Sequence, residues 1–280
     1  MKPLKTVILY SAGHMGSATI LNQLLDSDIF EFKGIVKARA LPFSRKGARQ
    51  LKRNLKKTGW QFGWLMVWQQ LVQSFAFLIN NLLPQRRKRL LPAWMIARKK
   101  GIPVHYSDNV NDETCRNFIE SFKPDLVISA YFNQILKKEA IAIPKIGILN
   151  IHPGWLPAYR GAMCYFWVLK NGEQKGGVSV HWIDEGIDTG ELLAREQFEI
   201  KEGWTQQKVL ESTAVIGAKL IKEVARKLQH GETPKALSEI DSEQADYFPM
   251  PKRADFKDYF SNKRFFRIRD IFRLFMKKRK

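Results

Sequence analysis

The residues with most chemical content lie between Asn150 and Asp188. The chain reads Asn-Ile-His-Pro-Gly-Trp-Leu-Pro-Ala-Tyr-Arg-Gly from Asn150 to Gly161, and Val-Ser-Val-His-Trp-Ile-Asp-Glu-Gly-Ile-Asp-Thr-Gly from Val178 to Gly190. Asn150 and His152 are two residues apart, so an extended segment turns both side chains to one face. A carboxamide N–H beside an imidazole can hold the negative oxygen that develops when a nucleophile adds to a carbonyl. The imidazole also moves a proton near neutral pH. A carboxylate such as Asp188 would orient that ring and raise its pKa. Pro153, Pro157 and Gly161 stiffen the intervening loop and let it turn sharply. Residue chemistry alone leaves a second reading open: one His after a strand also serves as a structural hydrogen-bonding group, and Asp followed by Thr-Gly also caps a turn. His14, His105, His181 and His230 lack the setting of His152 and read as structural, His181 least securely because it lies on an alternating strand beside the site in sequence.

Such a constellation needs a scaffold, and the flanking pattern supplies one. Thr6–Ser11 is a short β-branched run followed by a Gly-containing turn and a helical pattern over Ser17–Leu25. Strand-like Phe32–Val36, Ile102–Tyr106, Asp125–Ala130 and Gly147–Ile151 follow, with a helix expected over Asp112–Phe122. This alternation predicts an α/β, Rossmann-like doubly wound and mostly parallel sheet, with His152 at the carboxyl end of a strand, where open α/β folds place their sites. A helix near Cys164–Leu169, strands over Val178–Ile183 and Leu192–Ile200, and a long amphipathic helix over Thr205–Leu228 complete the pattern. The expected division is a catalytic domain over 1–203 and a C-terminal helix, linker and basic tail over 204–280. At 280 residues and 45% hydrophobic content the chain can bury an ordinary core. Cys115 and Cys164 read as two reduced thiols, no His/Cys cluster suggests a metal, and no signal peptide is expected ahead of the first strand, so the expected compartment is the cytoplasm.

Charge is the unusual property. Lys and Arg number 47 against 27 Asp and Glu, a formal net of +20, which points to an anionic surface or substrate rather than to any fold. The alternation of elements breaks between about 39 and 100. That insertion opens with Arg45, Lys46, Arg49, Lys52, Arg53, Lys56 and Lys57, runs without charge from Thr58 to Gln85, and closes with Arg86-Arg87-Lys88-Arg89. Trp60, Trp64 and Trp68 recur every four residues, which fits a helix lying in a membrane interface. A helical hairpin packed on its own domain or on a subunit partner, and a true membrane span, are the alternatives. Lys263–Lys280 repeats the theme: Phe265, Ile268, Phe272 and Phe275 share one helical face amid Arg and Lys, a membrane-surface or polyanion-binding pattern, or else a docked terminal helix.

The stretch from Asn150 to Leu193, with its Asn-x-His, its Pro-containing loop ending Tyr159-Arg160-Gly161 and its Asp184-Glu185-x-x-Asp188-x-Gly190 segment, resembles the formyltransferase family, which includes glycinamide ribonucleotide, methionyl-tRNA and amino-sugar formyltransferases. The resemblance implies that Asn150, His152 and Asp188 are catalytic. It implies 10-formyltetrahydrofolate as formyl donor, held by Phe132, Gln134, Ile135 and Leu136 and by the loop of Asp184, Glu185 and Gly186. It needs no metal. For the acceptor, the candidate contacts are Ser11, Gly13, His14, Met15, Tyr159, Arg160 and Gly161. The Gly13-x-x-Gly16 turn lacks the full dinucleotide pattern; it could hold a phosphate of the acceptor or simply turn the chain into the first helix. Methionyl-tRNA enzymes usually carry a further β-barrel domain of around a hundred residues, and 80 residues follow Ile200 here. The expected acceptor is therefore an amino sugar or a lipid-associated amine, small or lipid-linked, with peripheral contact to an anionic membrane. Methionyl-tRNA is the second expectation, and a membrane- or RNA-binding scaffold on a degenerate domain the non-enzymatic one.

Overall fold

The computed structural model describes residues 1–39 apart from 13, 91–237 apart from 92, 246–262 and 270, with scattered positions between 52 and 78. Strands β1 (Leu4–Ser11), β2 (Phe30–Ala38), β3 (Val104–Ser107), β4 (Leu126–Ala130), β5 (Gly147–His152), β7 (Lys175–Trp182) and β8 (Leu192–Glu199) form one sheet in the order β3-β2-β1-β4-β5-β7-β8. The first five are parallel; β7 pairs antiparallel with β5 and with β8. The doubly wound sheet expected from the sequence is therefore present, with β7 alone running against the other six strands and β8 at the edge.

Period two explains how it is covered. Ile8, Tyr10, Ile128, Leu149 and Ile151 face one hydrophobic core, while Val7, Leu9, Val127 and Ile148 face the other. Helices α1 (Met15–Leu24) and α6 (Gln206–Gln229) pack on each other on the first face, and α6 also packs on β7, so residues on both sides of 203 share this core. Helix α3 (Glu113–Glu120) places Cys115 and Ile119 on the second face. Caps set the starts: His14 Nδ1 accepts from Ser17 N–H for α1, the Asp112 carboxylate from Cys115 N–H for α3, and Thr205 Oγ1 from Lys208 N–H for α6. Met15, an expected acceptor contact, is instead buried in the first core. Helix α2 (Ala93–Lys100) leads into β3, α4 (Lys138–Ile141) into β5, and α5 (Cys164–Lys170) into β7.

One departure matters to function. Within the expected linker after the long helix, β9 (Tyr247–Phe248) pairs in parallel with β6 (Arg160–Gly161), and Phe248 stacks on Tyr159 with centroids 4.6 Å apart. Helix α7 (Arg253–Asn262) then buries Phe256 and Tyr259 against Phe166 of α5. Of the terminal basic segment only Asp270 is described; it is buried and accepts from Thr205 Oγ1 at 2.8 Å. Phe265, Ile268, Phe272 and Phe275 lie outside the described residues. In the insertion, the described positions between 60 and 78 are helical, Trp60 and Trp64 are 69% and 58% exposed, and Trp68 is half-buried. Among the described residues, no helix is long and apolar enough to cross a membrane.

Candidate active site

Strand order reverses between β1 and β4, and a cleft of about 430 Å³ opens there, at the carboxyl ends of β1, β4 and β5. Ser11 and His14 line it from the β1 end, Tyr131 to Leu136 from the β4 end, and Asn150 and His152 from β5. The loop from Asp184 to Asp188 completes one side, and Tyr165, Met163, Tyr247 and Met250 the other.

At its centre, His152 is the last residue of β5 and is buried. Its Nε2 stands 2.5 Å from the Tyr159 carbonyl, its Nδ1 3.4 Å from Asp188 Oδ1. Both neighbours only accept, so the ring satisfies both only when both nitrogens carry protons. Burial alone would lower this pKa, but the Asp188 carboxylate outweighs it and holds His152 well above the ordinary histidine value. Asp188 is also buried, which favours its neutral form, yet the His152 cation and the N–H of Gly161, 2.9 Å away, hold its carboxyl well below the usual range. The pair is an imidazolium and a carboxylate. Asp188 itself has φ of 53°. Tyr131 and Met163 are also in the left-handed region, at 55° and 56°, so three of the four described non-glycine residues with positive φ line this cleft. Backbone strain of this kind gathers at functional sites.

Asn150 is braced from β7. It stands opposite His181 in the antiparallel ladder, and its Nδ2 lies 3.0 Å from His181 Nε2. His181 Nδ1 is 2.7 Å from the Trp182 carbonyl, which can only accept, so Nδ1 carries the ring proton and Nε2 accepts from Asn150. Burial pushes the His181 pKa down to about 4 and keeps it neutral. One N–H of the Asn150 amide is thus held by His181, and the other remains for the cleft. His181, read from sequence as structural, is bonded to the site; the strand register that brings it there is tertiary and left no mark in its local pattern. Cys164 is a second unforeseen neighbour. It is a buried free thiol whose Sγ lies 3.3 Å from the Tyr159 carbonyl and 3.4 Å from His152 Nε2.

The other expected residues divide. Phe132, Gln134, Ile135, Leu136, Asp184 and Gly186 line the cleft, and Glu185 does not. The Gln134 amide accepts from Val110 N–H and donates to the Ser107 carbonyl, tying the loop after β4 to the end of β3. Asp184 accepts from Gly186 N–H and from Thr189 Oγ1, closing its own loop. Ser11 Oγ accepts from Asn133 N–H. His14 is held neutral by burial, its pKa pushed down to about 4, with Nε2 3.3 Å from the Tyr165 hydroxyl. Gly13 lies outside the described residues. Tyr159 and Arg160 do not line the cleft: the first anchors His152 through its carbonyl, the second donates twice to the Ile187 carbonyl. Gly161 does line it. Among the described residues no group of three His, Cys, Asp or Glu is placed to hold a metal ion, and no Lys or Arg lines the cleft.

Comparison with known proteins gives the family and the fold. The model of the formyl transferase family matches residues 83–225. A methionyl-tRNA formyltransferase from Clostridioides difficile is 34% identical over 163 residues, covering 58% of this chain and 52% of that protein. The chain therefore spans about half the length of the curated relatives it matches. In fold, it resembles a glycinamide ribonucleotide transformylase from Symbiobacterium toebii, with TM-score 0.55 and 17% identity over 82% of this chain and 89% of that one. It also resembles an N-formyltransferase from Helicobacter canadensis solved in complex with folinic acid and dTDP-3-aminofucose, with TM-score 0.52 and 17% identity over 90% and 72%.

Proposed function

This chain belongs to the formyl transferase family, and on that premise we propose that it transfers a formyl group from 10-formyltetrahydrofolate to an amine. The observation that carries the reading is the convergence of Asn150, His152 and Asp188 in one cleft, with the His152 ring held between Asp188 and the Tyr159 carbonyl. When bound, the folate supplies an activated formyl carbon. Phe132, Ile135, Leu136 and Ile183 give an apolar slot for its ring system, and the Asp184–Gly186 loop a polar edge. That wall fits a flat heterocycle.

Each residue then has a task. As the amine adds to the formyl carbon, charge develops on the formyl oxygen. The free N–H of Asn150 and the His152 cation stabilise that oxygen. Asp188 keeps His152 protonated, takes up the proton shed by the amine, directly or through water, and passes it to the departing folate nitrogen. His181 touches none of the reacting atoms; it is a positioning residue for Asn150.

For the acceptor, we favour an amino sugar or a lipid-associated amine. The remaining wall is Tyr165, Met163, Tyr247 and Met250, which suits a ring with an apolar face. Methionyl-tRNA is a second reading, favoured by the Clostridioides difficile relative. Incubation with 10-formyltetrahydrofolate and nucleotide-linked amino sugars, lipid-linked amines or charged initiator tRNA, following release of tetrahydrofolate, tests both. We expect turnover with the sugar or lipid amine, and a loss of at least about 10²-fold in His152→Ala and Asn150→Ala. Equal turnover in wild type and His152→Ala would remove the assigned roles. Formylation of tRNA at physiological salt, with none of the other amines, would replace the favoured acceptor.

A further inference from the structure

The described part of the insertion has a feature that formyl transfer does not use. Trp60, Trp64, Val67, Leu71, Phe75 and Leu78 are all helical and more than half exposed, from 51% at Val67 to 69% at Trp60. They fall at steps of four, three, four, four and three residues. Eighteen residues in five steps is 3.6 per step, so at helical spacing these six positions fall on one face. Scattered exposed apolar residues are ordinary, but six at helical spacing, two of them Trp, mark an interaction surface.

Charge identifies the partner. No Asp, Glu, Lys or Arg occurs from Thr58 to Gln85. Lys52, Lys56 and Lys57 are exposed just ahead of the stripe, and Arg86-Arg87-Lys88-Arg89 follow it in sequence. We propose that this face docks on an anionic lipid bilayer, the helix lying in the interface with its apolar stripe among the acyl chains and its basic flanks on the headgroups. Trp suits that boundary because its ring is apolar and its N–H polar. A second copy of this chain fits less well. Paired in parallel, the helices would bring the Lys52–Lys57 clusters together; paired antiparallel, they would set Lys52–Lys57 against Arg86–Arg89. Both arrangements are repulsive in a chain of net charge +20.

The test uses the whole protein and no substrate, so its failure would leave the formyl-transfer reading standing. Wild type is floated with vesicles of phosphatidylcholine alone and with vesicles containing phosphatidylglycerol, at low and high salt. We expect it to float with the anionic vesicles and not the neutral ones, and to be released by salt. Trp64→Glu with Leu71→Glu should weaken partitioning at least about tenfold, with an unchanged thermal melt because both positions are exposed. If that variant melts lower, Lys56→Glu with Lys57→Glu carries the test, with the same expected loss on anionic vesicles. Wild type remaining in the soluble fraction with both vesicle types would overturn the proposal, as would flotation untouched by either pair of substitutions. So would light scattering that finds a wild-type dimer dissociated by Trp64→Glu with Leu71→Glu, since a second copy would then own the face.

Discussion

His181 decides how Asn150 presents its amide. Because Nδ1 donates to the Trp182 carbonyl, Nε2 must accept, and only the NH₂ end of Asn150 can satisfy it. Protonation would turn Nε2 into a donor facing a donor and release the amide. With the His181 pKa near 4, kcat should hold as pH falls through 6 and drop near 4. On the alkaline side His152 is held above the ordinary histidine range, so activity should persist past pH 7 and fall only when that proton leaves. The substitution that separates positioning from bulk is His181→Gln, whose carbonyl oxygen still accepts but does not titrate. We expect it to retain most of kcat and lose the acid limb, while His181→Phe loses at least about tenfold in kcat with little change in KM for the donor. A kcat profile of His181→Gln with the wild-type limb at pH 4 would refute the assignment.

The two-residue strands β6 and β9 look minor, yet they hold the site's wall. Gly161 has φ of +103°, donates to Asp188 Oδ2, and its α-carbon faces the Phe248 carbonyl so closely that an added Cβ would stand 2.3 Å from that oxygen. Gly161→Ala must therefore move β9 away or swing the N–H off Asp188. We expect kcat/KM to fall at least about tenfold while the melting temperature falls by a few degrees, in keeping with local strain of about 1–3 kcal/mol. A variant with wild-type kcat/KM would show that β9 and the Gly161 N–H do not set the site. This element also shows where sequence legibility ends. The long strands were readable because β-branched runs and period two are local, and α6 because its apolar stripe repeats over 24 residues. Their boundaries shifted by three residues or fewer: β2 runs Phe30–Ala38 against the expected Phe32–Val36, and β7 Lys175–Trp182 against Val178–Ile183. Asn150, His152 and Asp188, singled out by a spaced motif, line one cleft. A two-residue strand has no period to read, and the pairing of Tyr247 with Arg160 joins residues far apart in the chain. The same holds for His181, whose partner is fixed by strand register.

Across the whole molecule, the site's ionisable groups tie stability to pH in opposite directions. His14 and His181 are neutral when folded, with pKa values near 4, but take up protons near 6.5 when unfolded. Between those values the unfolded chain binds more protons, so stability falls as pH falls, by about 1.4 kcal/mol per pH unit for each group fully shielded. The shielding is fuller for His181 than for His14, whose edge meets the cleft. His152 has the reverse sign. Its folded pKa is raised, so its contribution is complete below 6.5 and is lost as pH rises toward the folded value. Asp188, depressed, contributes above the ordinary carboxylate range and loses its contribution only in stronger acid. Together they place maximum stability near pH 6.5, with net charge of +20 steepening the acid side through self-repulsion. Urea melts between pH 4.5 and 8.5 should show that maximum. His14→Asn keeps an N-cap for α1 and removes one titration. It should flatten the acid limb by up to about one proton's slope and leave the alkaline limb, which belongs to His152, unchanged. An acid limb identical in wild type and His14→Asn would mean that His14 gains its proton as readily in the fold as out of it, and the cleft wall beside Tyr165 would then be wet rather than closed.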